Sequence, residues 1–229
     1  MKIEKNRPLP SHTKLDYDEC YVKIILEKFF PDIYGSLQLS DRPDLRDVKN
    51  SVGIEVTSAI PRDEQEALSL ASEIPYLSSE KQEKRIAYLE KKGYKYTKYM
   101  MIHPVRSYRW TWSDNPDIEI TFCKDFLYAV TKKIDKLNSG NYAPMKRYDL
   151  FVISGIFIDE WMPEKLMEKL VSYKTKAINY SFIYLLALNG IFVFNMDTER
   201  WTFKDTKEKT HGLGELARQI VEDGEEDKK

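Results

Sequence analysis

Histidine, cysteine and glycine are all scarce in this 229-residue chain, and each scarcity removes a class of chemistry. The three histidines, His12, His103 and His211, stand alone, so no zinc-ligand spacing exists. The two cysteines, Cys20 and Cys123, fall in helix-like contexts and read as a reduced, intracellular pair. The nine glycines form no Walker loop, no Gly-x-Gly-x-x-Gly and no Gly-x-Ser-x-Gly elbow. A charge excess is also missing. A net charge of −1 makes no global electrostatic case for a polyanionic partner and leaves that case to local basic clusters. The longest apolar run, Phe182 to Val193, is broken by Asn189-Gly190, so no segment is expected to span a membrane. Met1 to Lys14 is charged and polar, unlike a secretory leader, and the expectation is a cytoplasmic protein.

Apolar residues make up 42% of the chain and charged residues 32%, the balance of a globular protein able to bury one sizeable core. The most informative stretch is Ser40-Asp41-Arg42-Pro43-Asp44 followed by Val52-Gly53-Ile54-Glu55-Val56-Thr57. Leu37 to Ser40 reads as a short strand. Val52 to Ala59, rich in β-branched residues, reads as a second. Alternation sets Glu55 and Thr57 on one face of it and Ile54 and Val56 on the other. A carboxylate inside an apolar strand is costly to bury without a partner. Two carboxylates, Asp44 and Glu55, brought together from neighbouring strands suit a hard divalent cation such as Mg²⁺.

This pattern resembles the PD-(D/E)XK nuclease superfamily. Pro43-Asp44 matches the first half of its motif, and Glu55-Val56 matches the start of the second. Thr57 stands where the family carries its lysine. The resemblance covers residues 16 to 60 and implies a restriction-endonuclease-like α/β core, a mixed central β-sheet flanked by helices. It implies a metal-dependent phosphodiesterase acting on DNA or RNA with Mg²⁺ or Mn²⁺ as cofactor. Asp44, Glu55 and Thr57 occupy the catalytic positions, and Asp44 and Glu55 hold the metal. The family commonly adds a glutamate from its first helix, and Glu19 is the candidate here. The other reading of Glu19 is an acid favouring a helix N-terminus. The missing lysine has two consequences. A lysine displaced onto a helix could replace it, with Lys133, Lys84 and Lys95 as candidates and a solvated charged face as the plain alternative. Otherwise the fold is catalytically inactive and serves as a nucleic-acid-binding or protein-interaction module. A third reading leaves the acids in salt bridges alone, with Arg42 or Arg46.

The chain divides in expectation into an arm at 1–14, one α/β domain at 15–203, and a C-terminal helix with a charged tail at 204–229. Residues 16 to 30 form an amphipathic helix stopped by Pro31. Arg42 and Arg46 flank the acid pair and could face phosphates. Further helices are expected from Pro61 and over Glu80 to Lys92, the second capped by Ser78-Ser79; the family's helix after the acid-bearing strand often adds a residue to the site, and Glu64 and Gln65 either do so here or face solvent. Bases and aromatics then interleave through Lys95, Arg106, Arg109, Trp110 and Trp112, either as a surface that tracks a single strand or as a hairpin with one face in the core. Lys95, Arg106 and Arg109 are the nucleic-acid-binding candidates there. A long helix over 117–137, a buried strand at Asp149 to Phe157, a helix at Pro163 to Tyr173 and a hairpin around Asn189-Gly190 follow. A last short helix is expected at Gly214 to Val221, with a disordered end beyond it. No membrane partner is expected, and a homodimer is open.

Overall fold

A computed structural model describes residues 9, 13–97, 100–102, 116–140, 142–174, 177–206 and 212–226. Arg106, Arg109, Trp110, Trp112 and the three histidines lie outside the described residues, as does most of the expected arm. The chain forms two compact units, one built on Ile60–Phe122 and the other on His12–Ala59 with Cys123–Lys229. Among the described residues no helix is long and apolar enough to cross a membrane.

The larger unit is α/β. Its centre is a seven-stranded mixed sheet in the order β1-β2-β3-β6-β7-β8-β9. These strands are Gln38–Leu39 (β1), Leu45–Asp47 (β2), Val52–Ser58 (β3), Arg147–Ile153 (β6), Phe182–Ala187 (β7), Gly190–Asn195 (β8) and Arg200–Lys204 (β9). The two central pairings, β3 with β6 and β6 with β7, are parallel, and the outer ones are antiparallel. Parallel central strands are covered on both faces and so carry near-continuous apolar sequence, as Leu150-Phe151-Val152 does.

One face packs on helices α1 (Tyr17–Phe29) and α6 (Leu213–Glu226). Val22, Ile25, Leu26 and Phe29 of α1, at helical spacing, meet Ile54, Val56, Phe151, Tyr184 and Leu213 in one core. The predicted alternation of β3 therefore holds: Ile54 and Val56 face α1, which leaves Glu55 on the opposite face. There the C-terminal part of α4 (Pro116–Asn138) covers the sheet, with Phe126 against Phe194 at 6.2 Å between rings. Helix α5 (Met162–Ser172) connects β6 to β7.

Three details depart from the sequence reading. Helix α6 continues through Glu226 rather than ending near Val221 in a disordered tail. Gly224 is used for close packing and not as a stop: a Cβ there would stand 2.5 Å from Leu15 Cδ1. Strand β2 lies in what reads as loop, and β9 lies just before the point where the pattern thins.

The smaller unit holds α2 (Arg62–Glu73), α3 (Ser79–Lys91) and a hairpin of β4 (Lys95–Thr97) with β5 (Met100–Ile102). Its core is Ala67, Ala71, Ile74, Leu89 and Tyr94. Ser78 precedes α3 but makes no side-chain cap bond. Glu64 is buried, contrary to its expected exposure, because it lies one and two turns before Ala67 and Ala71 on the buried face of α2. Gln65 is exposed and donates to the Ile60 carbonyl.

Candidate functional site

The two acids meet because of strand register. Strand β2 pairs antiparallel with β3, with Leu45 opposite Ile54 and Arg46 opposite Gly53. Carried one residue beyond β2, that register sets Asp44 across from Glu55, and directly opposed residues in a sheet share a face. The close fit is possible because residue 53 is glycine: a Cβ there would lie 2.6 Å from Pro43 Cγ. Asp44 is locked by its neighbour strand, with Val56 N–H donating to Asp44 Oδ2 at 2.7 Å. The Ser40 hydroxyl donates to the Pro43 carbonyl and closes the loop before it.

Glu55 is fully buried, and its compensating charge comes from α4. Lys133 Nζ lies 2.6 Å from Glu55 Oε2 and 3.4 Å from Asp44 Oδ2. Lys136, one turn further along α4, places Nζ 3.7 Å from the same Oε2. The Lys133 backbone is held in turn, since its carbonyl accepts from the buried Tyr180 hydroxyl at 3.1 Å. Burial, then the charge of Glu55, raises the Tyr180 pKa, so this hydroxyl stays a donor. Thr57, at the motif's lysine position, lies half-buried on β3 opposite Val152. The cations beside the acid pair come from helix α4.

Glu19 is half-buried on α1, whose N-terminus is capped by Asp16 Oδ1 accepting from Asp18 N–H at 2.8 Å and Glu19 N–H at 3.2 Å. Burial first, then the charge of Asp44, pushes the Glu19 carboxyl up to about 7, and Glu55 adds to the push while Lys133 opposes it. Glu19 therefore belongs to the electrostatic neighbourhood of the acid pair. Among the described residues, no three His, Cys, Asp or Glu side chains are grouped closely enough to enclose a metal ion. The donor set still suits one. Glu55 Oε1 is buried against the Tyr142 hydroxyl, and the facing carboxylates of Asp44 and Glu55 supply the oxygens that a hard cation takes.

The remaining candidates separate. Arg42 is exposed beside the acids, and among the described residues its guanidinium makes a long ion pair with Asp41, 3.8 Å. Arg46 is partly committed, because its Nη2 donates to the Asp41 carbonyl at 2.9 Å. Lys95 is exposed in the smaller unit, and Lys84 there pairs with Glu80 at 2.6 Å. Arg106 and Arg109 are outside the described residues.

Sequence reasoning missed Lys136 and Tyr142. Tyr142 follows α4 in a loop tied to the acid-bearing loop, with Ala143 N–H donating to the Arg42 carbonyl at 3.2 Å. The only signal for Lys136 was its place one helical turn after Lys133. Tyr142 carried none. No protein-family model, no curated protein and no solved structure matches the chain.

Proposed function

We propose that the larger unit is a metal-dependent phosphodiesterase of the PD-(D/E)XK type, a nuclease acting on DNA or RNA, whose motif lysine has moved from the strand to helix α4. The observation that carries this reading is the position of Lys133 Nζ, within 2.6 Å of Glu55 and 3.4 Å of Asp44. Asp44 and Glu55 would hold Mg²⁺ or Mn²⁺, with Glu19 contributing through water. The ion, when bound, supplies Lewis-acid polarisation of the phosphoryl oxygen and lowers the pKa of its water.

The residues of the chain do the rest. Val56 N–H fixes the Asp44 carboxylate toward the site. Lys133 donates to the attacking water, holds it in line and offsets charge that develops at phosphorus. Water adds to phosphorus as the P–O bond to the leaving group breaks, giving a phosphomonoester and an alcohol. Arg42, exposed beside the acids, is a described basic residue that could meet the backbone of a nucleic acid bound to this unit. One such site cuts one strand, so a homodimer would serve double-strand cleavage. A cytoplasmic setting fits this use.

The test is plasmid and single-strand cleavage with Mg²⁺ or Mn²⁺, alongside metal-binding calorimetry. Asp44→Ala and Glu55→Ala should each abolish cleavage and weaken metal binding. Lys133→Ala should abolish cleavage while metal still binds. Wild-type turnover in any of the three removes the assignment. One observation favours a second reading, a nuclease-like fold that binds nucleic acid or protein without cutting. Lys133 and Lys136 together bring two positive charges to the two acids. Metal-independent binding with no cleavage by the wild type would decide for it.

A further inference from the structure

A lysine on a helix is harder to aim than one on a strand. Sheet pairing fixes a strand along its length, whereas a helix can turn about its own axis. A rotation of about 20° sweeps a side-chain tip about 5 Å from that axis through about 2 Å. Such a shift breaks a hydrogen bond, and Lys133 Nζ stands 2.6 Å from Glu55 Oε2. Lys133 also lies within the last two turns of α4, and helix ends fray. Contacts from outside α4 must set its phase.

They come from the segment through Ile178, Tyr180 and Ser181, just before β7. Asn138 is the last residue of α4, and its amide pairs reciprocally with the Ile178 backbone. Asn138 Oδ1 accepts from Ile178 N–H at 3.0 Å, and Asn138 Nδ2 donates to the Ile178 carbonyl at 2.7 Å. The same Nδ2 donates to the Ile134 carbonyl at 2.8 Å, so one amide joins the segment to the residue after Lys133. The Ile178 side chain is exposed and adds little packing, which leaves the amide pair to hold its backbone. Two residues on, the buried Tyr180 hydroxyl donates to the Lys133 carbonyl.

The segment is fixed in turn to the sheet. Ser181 N–H donates to the Tyr148 carbonyl at 2.8 Å, and the Ser181 carbonyl accepts from Met196 N–H at 2.8 Å. Tyr148 of β6 pairs in register with Gly53 of β3, two residues before Glu55. A closed frame therefore runs from Glu55 through β3 and β6 to Ser181 and Tyr180, and back to Lys133.

We propose that Asn138 and Tyr180 are positioning residues for the displaced lysine: they fix the last turns of α4 in the phase that brings Lys133, and Lys136 one turn on, to Glu55. The catalytic consequence rests on the phosphodiesterase reading, whereas the frame stands without it.

The experiment uses the full chain. Tyr180→Phe and Asn138→Ala are each made in the wild type and in a Lys133→Met/Glu55→Gln background, which lacks the ion pair and orphans no buried charge. If the frame acts through the pair, each substitution should lower the urea midpoint of the wild type about twice as far as that of the background. Equal shifts in the two backgrounds mean packing alone and overturn the proposal. Asn138→Ala is the stricter arm, because its bonds go to Ile178 and Ile134 rather than to the acids. If the wild type cleaves, both variants should lower kcat about 10- to 100-fold with KM and Mg²⁺ affinity unchanged, since the misplaced group is the lysine and not the carboxylates. Wild-type kcat in both variants, or a loss of kcat matched by loss of Mg²⁺ affinity, also overturns it. If the wild type does not cleave, the phosphodiesterase reading fails separately and the urea comparison decides the frame.

Discussion

Lys133 Nζ stands 2.6 Å from Glu55 Oε2, joining a helix to a strand that lies 78 residues earlier in the chain. The carboxylate is fully buried, so removing its partner leaves a charge out of water with only the more distant Lys136 to offset it. Lys133→Met should therefore destabilise the protein by about 3 kcal/mol. Adding Glu55→Gln should recover much of that loss, because the orphaned charge is gone. Urea denaturation of the two single variants and the double variant measures the coupling. Additive losses would mean that the two side chains do not depend on each other.

Gly53 links the packing of the sheet to the geometry of the site. Alanine there would place its Cβ 2.6 Å from Pro43 Cγ, 3.1 Å from Tyr148 and 3.2 Å from Met145. The proline ring must move, and Asp44 follows it directly in the chain. Gly53→Ala should cost about 1–3 kcal/mol and weaken Mg²⁺ binding as Asp44 shifts. Denaturation beside calorimetry checks both, and wild-type metal affinity in a destabilised variant would separate Pro43 from the site.

Asp149 gives the larger unit a pH dependence from the other face of the sheet. Its buried carboxylate accepts from Tyr34 at 2.6 Å, from Arg147 Nε at 3.0 Å and from Phe182 N–H at 3.1 Å. Burial nevertheless dominates and raises its pKa from 3.8 to about 6, against the lowering effect of those partners. Between these values the folded state holds a proton that the unfolded state has lost. This group's contribution to stability is therefore full below pH 3.8, falls as pH rises, and is lost above about 6. Asp149→Asn should flatten the stability profile across that window. Denaturation at a series of pH values reads it, and an unchanged slope would assign the dependence elsewhere.

Much of the fold was legible in the chain because local pattern and burial agreed. The stripe of Val22, Ile25, Leu26 and Phe29 specifies α1, and β-branched alternation specifies β3 and the face that carries Glu55. The β7–β8 hairpin follows from Asn189-Gly190 between two apolar runs. Short elements were not legible. Strand β2 has three residues, Leu45–Asp47, and exists because β3 offers it a ladder. Helix α6 passes through Gly224 because Leu15 packs there, a contact that no local rule contains.

By itself, the sequence determined that Asp44 and Glu55 are the acids to examine. A carboxylate within a β-branched strand must be compensated, and Pro-Asp lies a short loop away. It also brought Lys133 among the candidate cations without separating it from Lys84 or Lys95. Only the tertiary structure decided that choice. The antiparallel register of β2 on β3 faces Asp44 toward Glu55, and the sheet face they share is the one α4 covers. Lysines on a charged helix look alike in sequence. What distinguishes Lys133 and Lys136 is the buried carboxylate that the sheet presents to them, a relationship set by packing across 78 residues of intervening chain.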